Sequence, residues 1–220
     1  MSRALILGAS GGLGAALVEA LAARGVAVTG LSRSRDGLDL TEEATLAAAT
    51  ARLAAPLDLI VNAAGALEIA GCGPERRLSE ITAEAMAAHF ALNATGMALA
   101  LKHFSPLLGG PRPVFAGLTA RLGSIGDNRL GGWMAYRASK AAANQILRTA
   151  SVELARTRPC SVVVALHPGT VATPMTDRYA ASRPRLTPAE AAAGLLAVID
   201  RLTPADTGSF HDVRGQAVEW

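Results

Sequence analysis

The feature that most restricts this chain is a glycine-rich turn, Gly8-Ala9-Ser10-Gly11-Gly12-Leu13-Gly14, set between an apolar run and a segment of helical composition. Ala4–Gly8 reads as a short strand and Ala15–Arg24 as a helix ending at Gly25. Glycine is needed where a chain turns tightly, where backbone must approach a pyrophosphate, and where a helix packs closely on a strand. The helix start then offers unpaired N–H groups and a positive dipole end to phosphate. The spacing is G-x-x-x-G-x-G rather than the commoner G-x-G-x-x-G. Its position directly after the first strand makes Gly8, Ser10, Gly12, Leu13 and Gly14 candidate cofactor-binding residues.

The rest of the chain repeats the same alternation. Val26–Leu31, Leu57–Asn62, Pro113–Leu118 and Ser161–Leu166 are strand-like apolar runs, and a short strand is expected near Ser209–Val213. Helices are expected over Glu42–Leu53, Thr82–Leu108 and Trp133–Arg158, and from Pro188 to about Leu202 with Thr187 as cap. Buried strands alternating with helices predict an α/β fold, a Rossmann-like doubly wound parallel β-sheet flanked by helices. With no repeat, low-complexity linker or composition shift, residues 1–220 are read as a single NAD(P)-binding domain.

Composition narrows the function classes. No run of about 18 consecutive strongly apolar residues appears, which argues against a membrane span. The net charge of +3 is spread over isolated arginines, so there is no basic stripe for nucleic acid. His89, His103, His167 and His211 lack metal-ligand spacing, and no metal is expected. Cys72 and Cys160 are too few for a disulfide scaffold and are read as small apolar fillers in a cytoplasmic protein.

Two further places carry chemistry. At the end of the second strand, where an acidic residue would hold the ribose hydroxyls of NAD, stand Ser32 and Arg33. A guanidinium pairs bidentately with a 2′-phosphate, so NADP(H) is favoured over NAD(H). Tyr136 and Lys140 lie at i and i+4, one helical turn apart on one face. A nearby ammonium, with the positive nicotinamide of an oxidised cofactor, stabilises phenolate, which predicts a lowered tyrosine pKa and a group that exchanges a proton with an alkoxide.

With these residues in place the chain resembles the short-chain dehydrogenase/reductase family over nearly its whole length. Gly8, Gly12 and Gly14 match the family's glycine motif, with Leu7 where a threonine is usual. Asn62-Ala63-Ala64-Gly65 is similar to the segment that steadies the central sheet beside the cofactor, and Asp39-Leu40 to the pair bordering the adenine. Pro168, Gly169, Val171 and Thr173 fall in a loop similar to the one touching the nicotinamide end. Tyr136 and Lys140 match the catalytic pair, and Asn93 the helix asparagine that anchors a proton-relay water. The resemblance implies an NADPH-dependent oxidoreductase moving a hydride between nicotinamide and a small carbonyl or alcohol substrate. It also implies a homodimer or homotetramer, with a monomer left open.

The family's third catalytic group, a serine, is displaced. Counting back from the tyrosine gives Gly123, with Ser124 one residue off; matching the strand end instead puts Thr119-Ala120 in the place of the family's Ser-Ser pair, with Ala120 in the catalytic slot. Ser124 is slightly preferred because it sits on the loop, with Thr119, or neither hydroxyl, as the alternatives. The loop and the ending Gly208-Ser209-Phe210-His211-Asp212 through Trp220 resemble a subgroup containing sniffer-type carbonyl reductases and C-factor signalling proteins. A cofactor-binding signalling protein with little turnover is therefore a second expectation. The segment between Thr173 and Thr187, with Arg178, Arg183 and Arg185, reads as a short polar lid over an open pocket. Its arginines are either solvated or attract an acidic substrate.

Overall fold

Leu5, Ile6 and Leu7 are all fully buried, yet successive residues of a strand point to opposite faces of a sheet. Both faces must therefore be covered. In the computed structural model, which describes residues 1–69, 71, 73–180 and 184–220, they belong to β1 (Arg3–Leu7). The chain continues through α1 (Gly12–Ala23), β2 (Ala27–Leu31), the single turn α2 (Arg33–Asp36), α3 (Glu43–Thr50) and β3 (Leu59–Asn62). Then come α4 (Ala83–His89), α5 (Gly96–Phe104), β4 (Val114–Leu118), α6 (Met134–Thr157) and β5 (Val162–His167). The order ends with α7 (Pro174–Ala180), α8 (Pro188–Arg201) and β6 (Phe210–Asp212).

The strands form one six-stranded sheet in the order β2-β1-β3-β4-β5-β6, parallel throughout. This is the expected Rossmann-like, doubly wound sheet. On one face, Ile6 and Val61 pack with Leu17 and Leu21 of α1 and Leu195 and Ile199 of α8. On the other, Leu5, Leu7 and Phe115 meet Met97 and Phe104 of α5 and Leu147 of α6. The chain leaves β1 toward β2, then crosses back to β3. The strand order reverses there, and a crevice opens at the carboxyl ends of β1 and β3.

Helix ends follow local chemistry where caps are present. Thr187 accepts the Glu190 N–H at 3.2 Å while the Glu190 carboxylate accepts the Thr187 N–H at 2.7 Å, with Pro188 in the first turn. Thr187 is thus the cap expected for α8, and Glu190 makes it reciprocal. The expected continuous helix from Thr82 to Leu108 is broken. Thr82 caps α4, but Phe90–Thr95 forms a π-helical stretch before α5, and a 3₁₀ turn closes the run over Ser105–Leu107. A π turn accommodates one extra residue and re-aims the side chains around it. Two short helices, α2 and α7, were not expected at all. Cys160 is exposed just beyond α6, so it is not a core filler; Cys72 lies outside the described residues. Among the described residues no helix is long and apolar enough to cross a membrane.

Candidate active site

The crevice at the carboxyl ends of the strands is a cleft of about 790 Å³. Its floor is the glycine turn. Gly8 sits at φ 84° and donates its N–H to the Leu31 carbonyl at 2.8 Å, binding the end of β1 to the end of β2. A Cβ on Gly14 would stand 2.2 Å from the Gly8 carbonyl oxygen, so helix and strand meet with no room for a side chain. A Cβ on Gly12 would stand 3.0 Å from Thr173 Cγ2, which brings the loop after β5 back over the turn. Gly11, at the start of α1, makes no side-chain cap, and the first turn carries no acidic residue. The first-turn N–H groups and the positive helix end are thus left to an anion in the cleft.

At one end of the cleft lie Ser32, Arg33, Asp39 and Leu40. The Ser32 hydroxyl is already engaged, accepting the Arg35 N–H at 3.3 Å and donating to the Asp36 carboxylate at 3.2 Å. It acts as the cap of α2. Arg33 remains outstretched, its side chain 78% exposed and 3.8 Å from the Asp39 carboxylate. Hydrogen bonds from the Thr41 backbone and hydroxyl hold the Asp39 carboxyl below its usual range. Asn62, at the end of β3, accepts the Ala64 N–H at 3.1 Å and so shapes the Asn62–Gly65 segment. Ala63, Ala64 and Gly65 line the cleft, as do Pro168, Gly169, Val171 and Thr173 from the loop after β5. Ser10 and Leu13 line it as well.

Tyr136 and Lys140 rise from the first turns of α6 into the same cleft, with Lys140 Nζ 5.9 Å from the centre of the tyrosine ring. Lys140 is buried and donates to the Leu118 carbonyl at 3.2 Å. A Cβ on Gly65 would lie 3.0 Å from Nζ and 3.1 Å from Asn93 Oδ1, so glycine there admits both side chains. Burial pushes the Tyr136 phenol up to about 12 and the Lys140 ammonium down to about 8. The chain alone does not produce the lowering expected of Lys140 and an oxidised nicotinamide together: desolvation raises the phenol, and Tyr136 stays protonated at neutral pH. Asn93 lies in the π-helical stretch. Its amide clasps Ala66, accepting that residue's N–H and donating to its carbonyl, both at 3.1 Å, and also donates to Ser139 Oγ at 3.2 Å.

The two candidate hydroxyls have different settings. Ser124 is buried, but it is not part of the cleft lining, and its Oγ accepts the Asp127 N–H at 3.1 Å. Thr119 lines the cleft, and its buried Oγ1 has no hydrogen-bond partner among the described residues. An unpaired buried hydroxyl is uncommon enough to need a reason, and a ligand oxygen supplies one.

Sequence reasoning missed the outer wall of the cleft. Trp133, Tyr179, Met175 and Leu130 line it. Trp133 meets Tyr136 edge-on with centres 6.4 Å apart, and Tyr179 at 5.6 Å. The signal for Trp133 was present, three residues before Tyr136. The lid arginines are engaged with acidic partners: Arg178 pairs with Glu68 at 3.0 Å and Arg185 with Asp177 at 2.5 Å. Arg183 lies outside the described residues.

A parallel sheet with this glycine turn and a tyrosine–lysine helix in one crevice defines a class of oxidoreductase, and the chain belongs to it. The family model for short chain dehydrogenase matches residues 37–184, and the chain is a member of that family. A 1-hydroxy-2-glutathionyl-2-methyl-3-butene dehydrogenase of Rhodococcus sp. is 32% identical over 203 residues, covering 91% of this chain and 83% of that protein. The C-signal protein of Myxococcus xanthus is 38% identical over 168 residues, covering 75% of this chain and 93% of its own. A short-chain dehydrogenase/reductase from Burkholderia multivorans with bound NADP is 26% identical with a TM-score of 0.86, covering 100% of this chain and 99% of that one.

Proposed function

We propose that this chain is an NADPH-dependent carbonyl reductase. The observation that carries the reading is the grouping of the Tyr136 phenol, the Lys140 ammonium and the unpartnered Thr119 hydroxyl in the cleft that begins at the glycine turn. The cradle fits a dinucleotide: a side chain is excluded at Gly14 and crowded at Gly12, and the first turn of α1 is uncapped. Ser10, Gly12 and Leu13 would hold the pyrophosphate, and Arg33 a 2′-phosphate, with Asp39 and Leu40 beside the adenine. Asn62–Gly65, Val171 and Thr173 would border the nicotinamide half. When bound, the reduced cofactor supplies the hydride.

The chain's own residues do the rest. Thr119 orients the substrate oxygen through its free hydroxyl, in place of the family's serine. Tyr136, held as phenol by burial, carries the proton that the developing alkoxide takes. Lys140 places a positive charge beside the phenolate left behind and is still largely protonated at neutral pH. Asn93 fixes the wall of the cleft by clasping Ala66, and its position beside Lys140 suits the relay role that the family resemblance implies. The wall of Trp133, Tyr179, Met175 and Leu130 favours a ketone or aldehyde with an apolar or aromatic substituent.

The test is consumption of NADPH with a panel of aldehydes and ketones, comparing wild type with Tyr136→Phe. A loss of about 10²–10⁴-fold is expected, and equal rates would sink the mechanism. Ala120 in the usual serine position and the likeness to C-signal favour a second reading, a cofactor-binding signalling protein. Tight NADPH binding with no carbonyl turned over would support that reading instead.

A further inference from the structure

Glu75 and His89 are buried polar residues that the proposed chemistry leaves unused. Glu75, on the loop before α4, reaches the start of α6 with two acceptors. Its carbonyl takes the Trp133 N–H at 2.5 Å, and its Oε2 takes the Ala135 N–H at 3.3 Å. Both are donors of a helix start, which no side chain of α6 caps. Trp133 is held at φ 56°, a left-handed conformation costing about 1–2 kcal/mol, which persists only where contacts fix it. The other carboxylate oxygen, Oε1, is buried with no partner among the described residues.

His89, the last residue of α4, is fully buried, and its Nε2 also has no partner among the described residues. Its Nδ1 lies 3.4 Å from Asn93 Nδ2. Ala66 fixes that amide's orientation, giving its N–H to Oδ1 and accepting from Nδ2. Asn93 Nδ2 has two hydrogens, shared among Ala66, Ser139 and His89, and no lone pair to accept with, so Nδ1 faces it unprotonated and the neutral ring carries its proton on Nε2. A buried N–H without an acceptor and a buried carboxylate oxygen without a donor call for each other.

We infer that Glu75 and His89 form a positioning pair, linked from Nε2–H to Oε1 through one buried water, which locks the start of the Tyr136 helix to the Asn93 clamp. The chain of contacts continues through Asn93 to Ser139 Oγ, which donates to the Tyr136 carbonyl at 2.8 Å. The His89 ring also stands edge-on to the Tyr136 ring, centres 6.2 Å apart. The groups facing His89 are Glu75 from its loop, Tyr136 and Lys140 from α6, and Asn93 from the π turn. Burial and Lys140 disfavour the imidazolium while Glu75 favours it, leaving His89 below its usual value. Protonating Nδ1 would set two donors against each other and open the Asn93 contact. The effect on turnover rests on Tyr136 being the proton donor; the link itself does not.

The experiment is nitrogen-15 NMR of the four histidines, with His89 assigned by its absence in His89→Gln. The expected result is an Nε2–H tautomer titrating below 6.5, shifted further down in Glu75→Gln because the one charge favouring the imidazolium is gone. In the same variant kcat for carbonyl reduction should fall about tenfold, with KM for NADPH within about twofold of wild type. An Nδ1–H tautomer, or a titration unmoved by Glu75→Gln, overturns the pair. A confirmed link with unchanged kcat in Glu75→Gln overturns its positioning role. Failure of the wild type to reduce any carbonyl counts against the proposed function, and the NMR measurement still decides the link.

Discussion

Replacing Thr119 by valine should raise stability and lower turnover together. Thr119 is 4% exposed, and its Oγ1 has no hydrogen-bond partner among the described residues. Leaving a buried hydroxyl unpaired costs about 1–3 kcal/mol. Valine keeps the shape and removes that cost, so the free protein should gain about 1 kcal/mol, or about 2–4 °C in Tm at this chain length. If the same hydroxyl orients the substrate oxygen, its loss removes an oxyanion-type donor worth about 10²–10³-fold in kcat. Effects of opposite sign at one atom mark a group kept for function rather than folding. Thermal unfolding followed by circular dichroism reads the first effect, and NADPH oxidation with the best carbonyl substrate reads the second. Ser124→Ala is the control: its Oγ accepts the Asp127 N–H at 3.1 Å. That variant should lose about 0.5–1.5 kcal/mol of stability and keep a kcat near wild type. A Thr119→Val protein that is less stable, or that turns over at the wild-type rate, refutes the assignment. A loss of about 10²-fold in Ser124→Ala would return the role to Ser124.

Gly14→Ala places a Cβ 2.2 Å from the Gly8 carbonyl, a backbone atom that cannot swing aside. It should cost about 1–3 kcal/mol by urea unfolding and abolish NADPH binding measured by calorimetry. Stability against pH should show Lys140 and Tyr136. Lys140 has a folded value of about 8 against 10.5, so the unfolded chain binds the extra proton between them and stability rises with pH there. Tyr136 has about 12 against 10.0, so the folded chain keeps a proton that the unfolded one loses, and stability falls across that range. Lys140→Met should remove the rise between pH 8 and 10, and a rise that persists would place its source elsewhere. Arg33→Ala should raise KM for NADPH about tenfold, the low end for a charge-assisted hydrogen bond made in water, and leave KM for NADH near wild type. An equal change for both cofactors would count against a 2′-phosphate contact.

The sheet was legible because strand burial is a local property. Apolar runs such as Leu57–Asn62 and Ser161–Leu166 have few alternatives to a covered parallel strand, and Leu59–Asn62 and Val162–Leu166 are indeed buried. The glycine turn was legible for the same reason, since close approach there forbids a Cβ whatever surrounds it. Orientation is different, because it depends on partners far along the chain. One extra residue in a helical turn leaves composition unchanged, so nothing local announces the π turn at Phe90–Thr95. What accompanies it is the clasp between Asn93 and Ala66, 27 positions apart. Likewise, Ser124 and Thr119 carry the same chemistry in sequence. A Cβ on Gly123 would stand 2.7 Å from the Lys140 backbone, so the turn over Arg121–Gly123 is drawn tight against α6. Beyond it the Ser124 hydroxyl is engaged by Asp127, and Thr119, at the end of β4, keeps the cleft. The setting of Tyr136 is hidden in the same way: spacing reports that Lys140 is near, but not that burial raises the phenol. Residue types and their spacing therefore indicate which side chains gather in the cleft, whereas the settings of Thr119, Ser124 and Tyr136 are fixed by distant parts of the chain.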